Sequence, residues 1–114
     1  MIKIGLYIDD FQFGTSIADL LSISNYYFKF FEKKNFNCNN FDYIIIELDD
    51  LKNYNVEKLN EYKRAFSDSI VIVTSVDITK DFIASLRKIG WKWVFSKSTL
   101  RKNLINILND VCKN

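Results

Sequence analysis

The sequence predicts an α/β domain: a doubly wound, five-stranded parallel sheet with helices on both faces. Three observations carry that prediction. Short apolar runs recur at IKIGLYI, FDYIIIEL, IVIV and WKWVF, too short for helices and too continuous for strands with one wet face, which is how parallel strands buried on both sides read. Segments with helical apolar spacing separate them, and such alternation produces right-handed crossovers rather than hairpins. The strongest run, Tyr43 to Ile46, leads straight into Glu47, Asp49 and Asp50. In open α/β sheets the carboxyl ends of the strands form the crevice where ligands bind.

The elements follow in order. Ile2 to Ile8 is rich in β-branched and aromatic residues and stops at Asp9 and Asp10, as a first strand would. Phe11 to Gly14 reads as loop. Ser16, followed three residues later by Asp19, resembles a capping box, and Ile17, Leu20 and Leu21 give the helix an apolar stripe to about Asn25. The aromatic density of Tyr26 to Phe31 favours a second strand over an extension of that helix. Lys33 to Asn40, KKNFNCNN, is a polar loop that leaves little room for a helix before the Phe41 to Asp50 strand, so the second helix is short or missing.

Lys52 to Asn55 is again loop. Asn55 is a good N-cap and Glu57 complements the helix dipole, opening a helix to about Phe66 with Val56, Leu59, Tyr62 or Lys63, and Phe66 on one face. Ile70 to Val73 is a fourth strand ending in Thr74 and Ser75. Thr79 caps a helix whose stripe is Phe82, Ile83, Leu86 and Ile89, and Gly90 supplies a left-handed stop. Trp91 to Phe95 is a fifth strand ending at Ser96 and Lys97. Ser98 or Thr99 then caps a last helix with Leu100, Leu104, Ile107, Leu108 and Val111 facing inward. Five βα units of this kind predict the flavodoxin-like strand order 2-1-3-4-5, with the switch point between strands one and three, where the two acidic strand ends meet.

Length and composition narrow the function. A chain of 114 residues, 48% hydrophobic and 26% charged, makes one domain spanning 1–114 with a core that needs no disulfide or metal. A formal charge of +2 is too small to imply nucleic-acid binding. Cys38 and Cys112 read as reduced thiols of a cytoplasmic protein, no apolar run approaches a membrane span, and no secretory leader is visible. With no histidine in the chain, the commonest general base and metal ligand are excluded.

The expected strand ends gather Asp9 and Asp10 from strand one, Glu47 from strand three, Thr74 from strand four and Lys97 from strand five. Three carboxylates repel one another unless a cation neutralises them, so Asp9, Asp10 and Glu47 are the candidate metal ligands and Mg2+ the expected ion, if any is held. Thr74 and Lys97 would suit a phosphoryl group or its imitation.

With these features in hand, the chain resembles the receiver domain of bacterial two-component response regulators over its full length except the second helix. The matching features are Asp9-Asp10 after strand one, FDYIIIEL, Thr74-Ser75 after IVIV, and GWKWVFSKS with Gly90 seven residues before Lys97. The resemblance implies a role in signal transduction, a phosphorelay or transcription regulation, with Thr74 and Lys97 as phosphoryl-contact positions. Glu47 falls where the family carries a phosphoaccepting aspartate, and Val94 falls at the family's aromatic switch position. Ser98 replaces a proline, which argues against the family's cis peptide because a non-proline cis bond costs about 3 kcal/mol.

These departures imply an atypical, pseudo-receiver variant that acts without phosphorylation, Glu47 pairing permanently with Lys97 to imitate the modified state. The alternatives are a phosphorylatable receiver using Mg2+ with Asp49 or another acid as acceptor, and a small flavodoxin-like enzyme with Phe13 to Ser16 as its phosphate loop. The implied partner is a protein or a second copy of the chain, bound through the helix after Thr79, the fifth strand and the last helix, which are helix 4, strand 5 and helix 5 of the family's count. Arg87, Lys88, Arg101 and Lys102 lie near that surface, Trp91 and Trp93 alternate on the strand, and DNA would be reached only through a separate effector.

Overall fold

The computed structural model describes residues 2–49 and 54–112. Asp50, the start of the loop expected at 52–55 and the Cys112 side chain lie outside the described part. The elements are β1 (Lys3–Tyr7), α1 (Phe11–Ile23), β2 (Tyr27–Phe30), β3 (Tyr43–Glu47), α2 (Val56–Ala65), β4 (Ile70–Ser75), α3 (Lys80–Ile89), β5 (Trp93–Ser96) and α4 (Lys97–Cys112). The sheet is parallel throughout, in the order β2-β1-β3-β4-β5 that the alternation predicts. No described helix is long and apolar enough to cross a membrane.

Strand residues alternate between two apolar layers, which is why the central runs are apolar without interruption. Ile4, Leu6, Ile45 and Ile72 meet Ile17 and Leu21 of α1 and Leu104 and Leu108 of α4. Ile44, Ile46 and Val73 meet Leu59, Tyr62 and Phe66 of the α2 region and Phe82 and Leu86 of α3. All five inward positions foreseen on the last helix are buried, from Leu100 to Val111. Trp91 is buried in the α2–α3 layer, while Trp93 packs partly buried in the other.

No helix forms between β2 and β3, and aromatic rings cover the sheet in its place. Tyr27, Phe41, Phe31, Tyr7, Phe66 and Tyr62 follow one another with centroid separations of 6.2, 5.2, 5.2, 5.0 and 5.8 Å. The high aromatic share of the chain therefore has a structural use: flat, rigid rings bury much area per residue and lose little entropy in doing so. The loop is pinned to them by Tyr7 Oη–H, which donates to the Asn35 carbonyl at 2.6 Å, and by Ser69 Oγ–H, which donates to the Phe41 carbonyl at 2.6 Å.

The local capping rules held for Asn55, whose Oδ1 accepts from Lys58 N–H at 2.8 Å, and for Thr79, whose Oγ1 accepts from Phe82 N–H at 3.1 Å. Gly90 ends α3 at φ +103°, as foreseen. A side chain in that left-handed conformation is strained, so Gly90→Ala should cost about 1–2 kcal/mol, read from the urea midpoint.

Five expectations need correction. The first helix begins at Phe11, not near Ser16: Asp10 is its N-cap, and the Ser16 hydroxyl merely donates back to the Gln12 carbonyl. Gly14 looked like loop but lies inside α1, where a Cβ would stand 3.2 Å from the Phe30 ring. Phe13 to Ser16 is thus helix, and the phosphate-loop alternative has no loop to use.

The last helix is capped by Ser96, whose Oγ accepts from Thr99 N–H at 3.1 Å, rather than by Ser98 or Thr99, and it kinks at Asn103 (φ −125°). Val56 is 71% exposed instead of joining the α2 stripe, because the whole first turn, residues 55–57, is exposed and the helix meets the sheet only from Leu59. Every described peptide bond is trans, including the one before Ser98.

Candidate functional site

Parallel strands that end together deliver their next residues to one edge, and here the β1, β3 and β4 ends and the start of α4 converge. Glu47 closes β3 in register with Thr74, and Thr74 in register with Phe95. The Glu47 side chain is almost wholly buried, and both of its oxygens are engaged. Oε1 accepts the backbone N–H of Asp9 at 3.0 Å and of Asp10 at 3.3 Å. Oε2 lies 2.7 Å from Lys97 Nζ, a contact that is an ion pair rather than an aligned hydrogen bond.

Lys97 is the hub of the site. Its ammonium also contacts Asp49 Oδ2 at 2.8 Å and Asp10 Oδ2 at 3.4 Å, and it rests over the Phe13 ring at 5.2 Å. It can reach all three acids because Ser96 caps α4, which sets Lys97 at the first helical position above the end of β5. The other carboxylates are tied to backbone as well: Asp10 Oδ1 accepts Phe13 N–H at 3.0 Å as the α1 cap, and Asp49 Oδ1 accepts Val76 N–H at 3.1 Å.

Asp9 contributes its amide to this cluster and turns its carboxylate away, to Lys33 Nζ at 3.2 Å. Lys33 in turn donates to Tyr54 Oη at 2.9 Å. Together Asp9, Asp10, Lys33, Glu47, Asp49 and Tyr54 line an open depression of about 660 Å³. Thr74 Oγ and Ser75 Oγ, at the end of β4, are buried and find no hydrogen-bond partner among the described residues. Val94 pairs in register with Val73 and packs, partly buried, against the α2–α3 layer.

The ionisations follow from these contacts. Burial by itself would lower the Lys97 pKa, but Asp49 and Glu47 outweigh it, and the value is pushed from the ordinary 10.5 up to about 12. For Asp10, the hydrogen bond from Phe13 N–H holds the carboxyl below the usual 3.8, with Lys97 adding to the effect.

A folded pKa above the unfolded one stabilises fully below the unfolded value, so the Lys97 contribution is whole below pH 10.5 and is lost as pH rises through about 12. Burial raises Tyr7 and Tyr62, the latter up to about 12, and they lose stability in the same direction. Urea midpoints should therefore fall across this alkaline window, and fall less steeply in Lys97→Met, the difference isolating the ammonium.

Sequence reasoning placed Asp10, Glu47, Thr74 and Lys97 at one edge, and there they lie. It missed Lys33, read as a solvated loop residue, and the Asp49 contact to Lys97. The clue to Lys33 was indirect: β2 is the neighbour of β1, so a cation following β2 is well placed to answer an acid following β1.

The arrangement does not fit a magnesium ion. Two amides and an ammonium take both Glu47 oxygens, the Asp10 oxygens face Phe13 N–H and Lys97, and the Asp9 carboxylate faces Lys33. The three acids that do converge, Asp10, Glu47 and Asp49, converge on the Lys97 ammonium.

No protein-family model matches the chain, and no curated protein matches it by sequence. Solved structures do match in shape. A response regulator from Thermotoga maritima superposes with a TM-score of 0.81 at 13% identity, covering 100% of this chain and 99% of its own. A CheY-like response regulator from Mesorhizobium loti gives 0.75 at 18% identity, covering 95% and 96%, and a response regulator from Burkholderia multivorans gives 0.75 at 13%, covering 98% and 95%. At such identities the likeness shows the fold: a flavodoxin-like, five-stranded receiver fold with four helices, whose structural neighbours are response-regulator receiver domains.

Proposed function

We propose that the chain is a signal-transduction module that works without phosphorylation, as a pseudo-receiver. The observation that carries this reading is the 2.7 Å contact between Glu47 Oε2 and Lys97 Nζ. The resemblance puts a modifiable aspartate at the Glu47 position. Glutamate is one methylene longer and reaches the ammonium directly, so a fixed carboxylate stands where a phosphoryl oxygen would come and go. Lys97 supplies the positive charge that the acids need, in place of a divalent ion, and its contact to Asp49 joins the loop after β3 to the start of α4. A site neutralised from within holds one conformation, and a held conformation presents one constant output surface.

That output surface is formed by α3, β5 and α4. Residues 80–102 include Lys80, Arg87, Lys88, Lys92, Arg101 and Lys102 besides Lys97, against the single acid Asp81. Its partner is then an acidic protein surface, recognised by charge complementarity, and any contact with DNA runs through a separate effector.

The test is incubation with a small acyl phosphate and Mg2+, followed by intact mass. The unmodified mass is expected. A stoichiometric phosphoryl adduct would overturn the proposal, and its location would identify the acceptor, Asp49 being far more open than Glu47, with side chains 40% and 3% exposed.

A further inference from the structure

The helices α2 and α3 leave a groove of about 540 Å³ between them. Its apolar lining includes Val56, Leu59 and Ile89, and the only charges that line it are those of Lys63 and Lys88. Val56 is 71% exposed, so the groove offers an uncovered apolar side chain at its α2 wall. Gly90 makes room for the cation at the end of α3, since a Cβ there would stand 2.8 Å from Lys63 Nζ. A second depression continues over α3 and shares Lys88; it is lined by Ile83 and Ala84 with Lys80 and Arg87. The acids of the two helices, Glu57, Glu61 and Asp81, line neither. Lys33 and Lys97 are paired with carboxylates, whereas Lys63, Lys80, Arg87 and Lys88 make no ion pair among the described residues.

We propose that the α2–α3 groove seats an acidic, amphipathic helix of a partner protein, with an apolar side chain entering beside Leu59 and Ile89 and carboxylates meeting Lys63 and Lys88. Charge selects this occupant. Neighbouring cations with no acid between them repel one another and favour a partner that brings carboxylates to them. An apolar groove asks in addition for an apolar side chain, which an amphipathic helix supplies at regular spacing along one face. A second copy docked groove to groove would set the same cations against each other. A nucleic acid would answer the charge but leave Val56, Leu59 and Ile89 without a counterpart, and Tyr54 is the one ring in the lining on which a base could stack. The partner is the acidic one of the reading above, on which this assignment rests, and α2 is added to its footprint. How Glu47 is read has no bearing on it.

The test is fluorescence anisotropy of the full chain with a labelled helical peptide of glutamate, alanine and leucine, its leucines three and four residues apart on one face. Binding is expected in the roughly ten-micromolar range. Val56→Glu and Lys63→Glu, both at exposed positions and both checked for native circular dichroism, should each weaken it about tenfold or more. Replacing the peptide's leucines by alanine should do the same. Ile23→Glu, at an exposed apolar residue of α1 on the other face of the sheet, and Arg101→Glu on α4 should bind within about twofold of the wild type. No saturable binding up to roughly millimolar chain, or a leucine-free peptide bound as tightly, would overturn the proposal. So would a single-stranded oligonucleotide bound more tightly than the peptide, or losses that Ile23→Glu matches. Binding lost in Arg101→Glu but kept in Val56→Glu and Lys63→Glu would move the peptide to the α3–β5–α4 surface, overturning the groove while the acidic-partner reading stands.

Discussion

Lys97→Met should destabilise the domain by about 3 kcal/mol, one of the two largest single-residue effects expected here. The Glu47 side chain is 3% exposed and that of Lys97 11%, so the pair is largely withdrawn from water. Removing the ammonium would leave Glu47 Oε2 with no cation and would set Asp10 and Asp49 against it as like charges. The loss is the cost of a stranded buried carboxylate and does not measure the net worth of the pair. Glu47→Gln should therefore cost less, about 1 kcal/mol, because Lys97 keeps Asp49 and Asp10. Glu47→Gln combined with Lys97→Met should recover most of the loss. Urea unfolding of the three variants closes the cycle; equal losses for Lys97→Met and Glu47→Gln would show that the Glu47 charge is not the one Lys97 neutralises.

Phe66→Ala should cost about 3–5 kcal/mol, a large part of what holds a domain of this size. Phe66 is 2% exposed and stands between Tyr7, at 5.0 Å, and Tyr62, at 5.8 Å, in the ring series that covers the sheet where a helix is missing. A cavity there cannot close easily, because its neighbours are rings fixed by one another and by the Tyr7 hydroxyl bond to Asn35. Phe36→Ala, at the exposed end of the same series, should cost much less, since Phe36 is 37% exposed and its place fills with water. Similar losses for the two would mean that the rings act singly.

The sheet was legible because its signal is collective. Ile44 to Ile46 and Ile72 to Val73 must be apolar on both faces, and no local choice of cap or turn alters that. The stripe of α4 was legible for the same reason, five positions agreeing on one period. Caps were legible only when the capping residue had no other task. Asn55 and Thr79 cap and do nothing else, but Asp10 also meets Lys97, and Ser96 closes a strand before it opens a helix.

Gly14 misled because a glycine needed for close approach of Phe30 looks, in sequence, like a glycine needed for a turn. At the site, strand ends predicted that Glu47 and Lys97 would meet, as they do. The Asp9 to Lys33 pair could not be read from spacing, because it joins side chains brought together only by the β1–β2 register.

The account rests on Lys97 and two backbone amides occupying both oxygens of Glu47. An amide and side-chain NMR titration with magnesium chloride, against sodium chloride at matched ionic strength, addresses this directly. The amides of Asp9 and Asp10 and the Lys97 ammonium should show no saturable shift beyond the salt control. Saturable shifts at Asp9, Asp10 and Glu47, with release of the Lys97 ammonium, would contradict it.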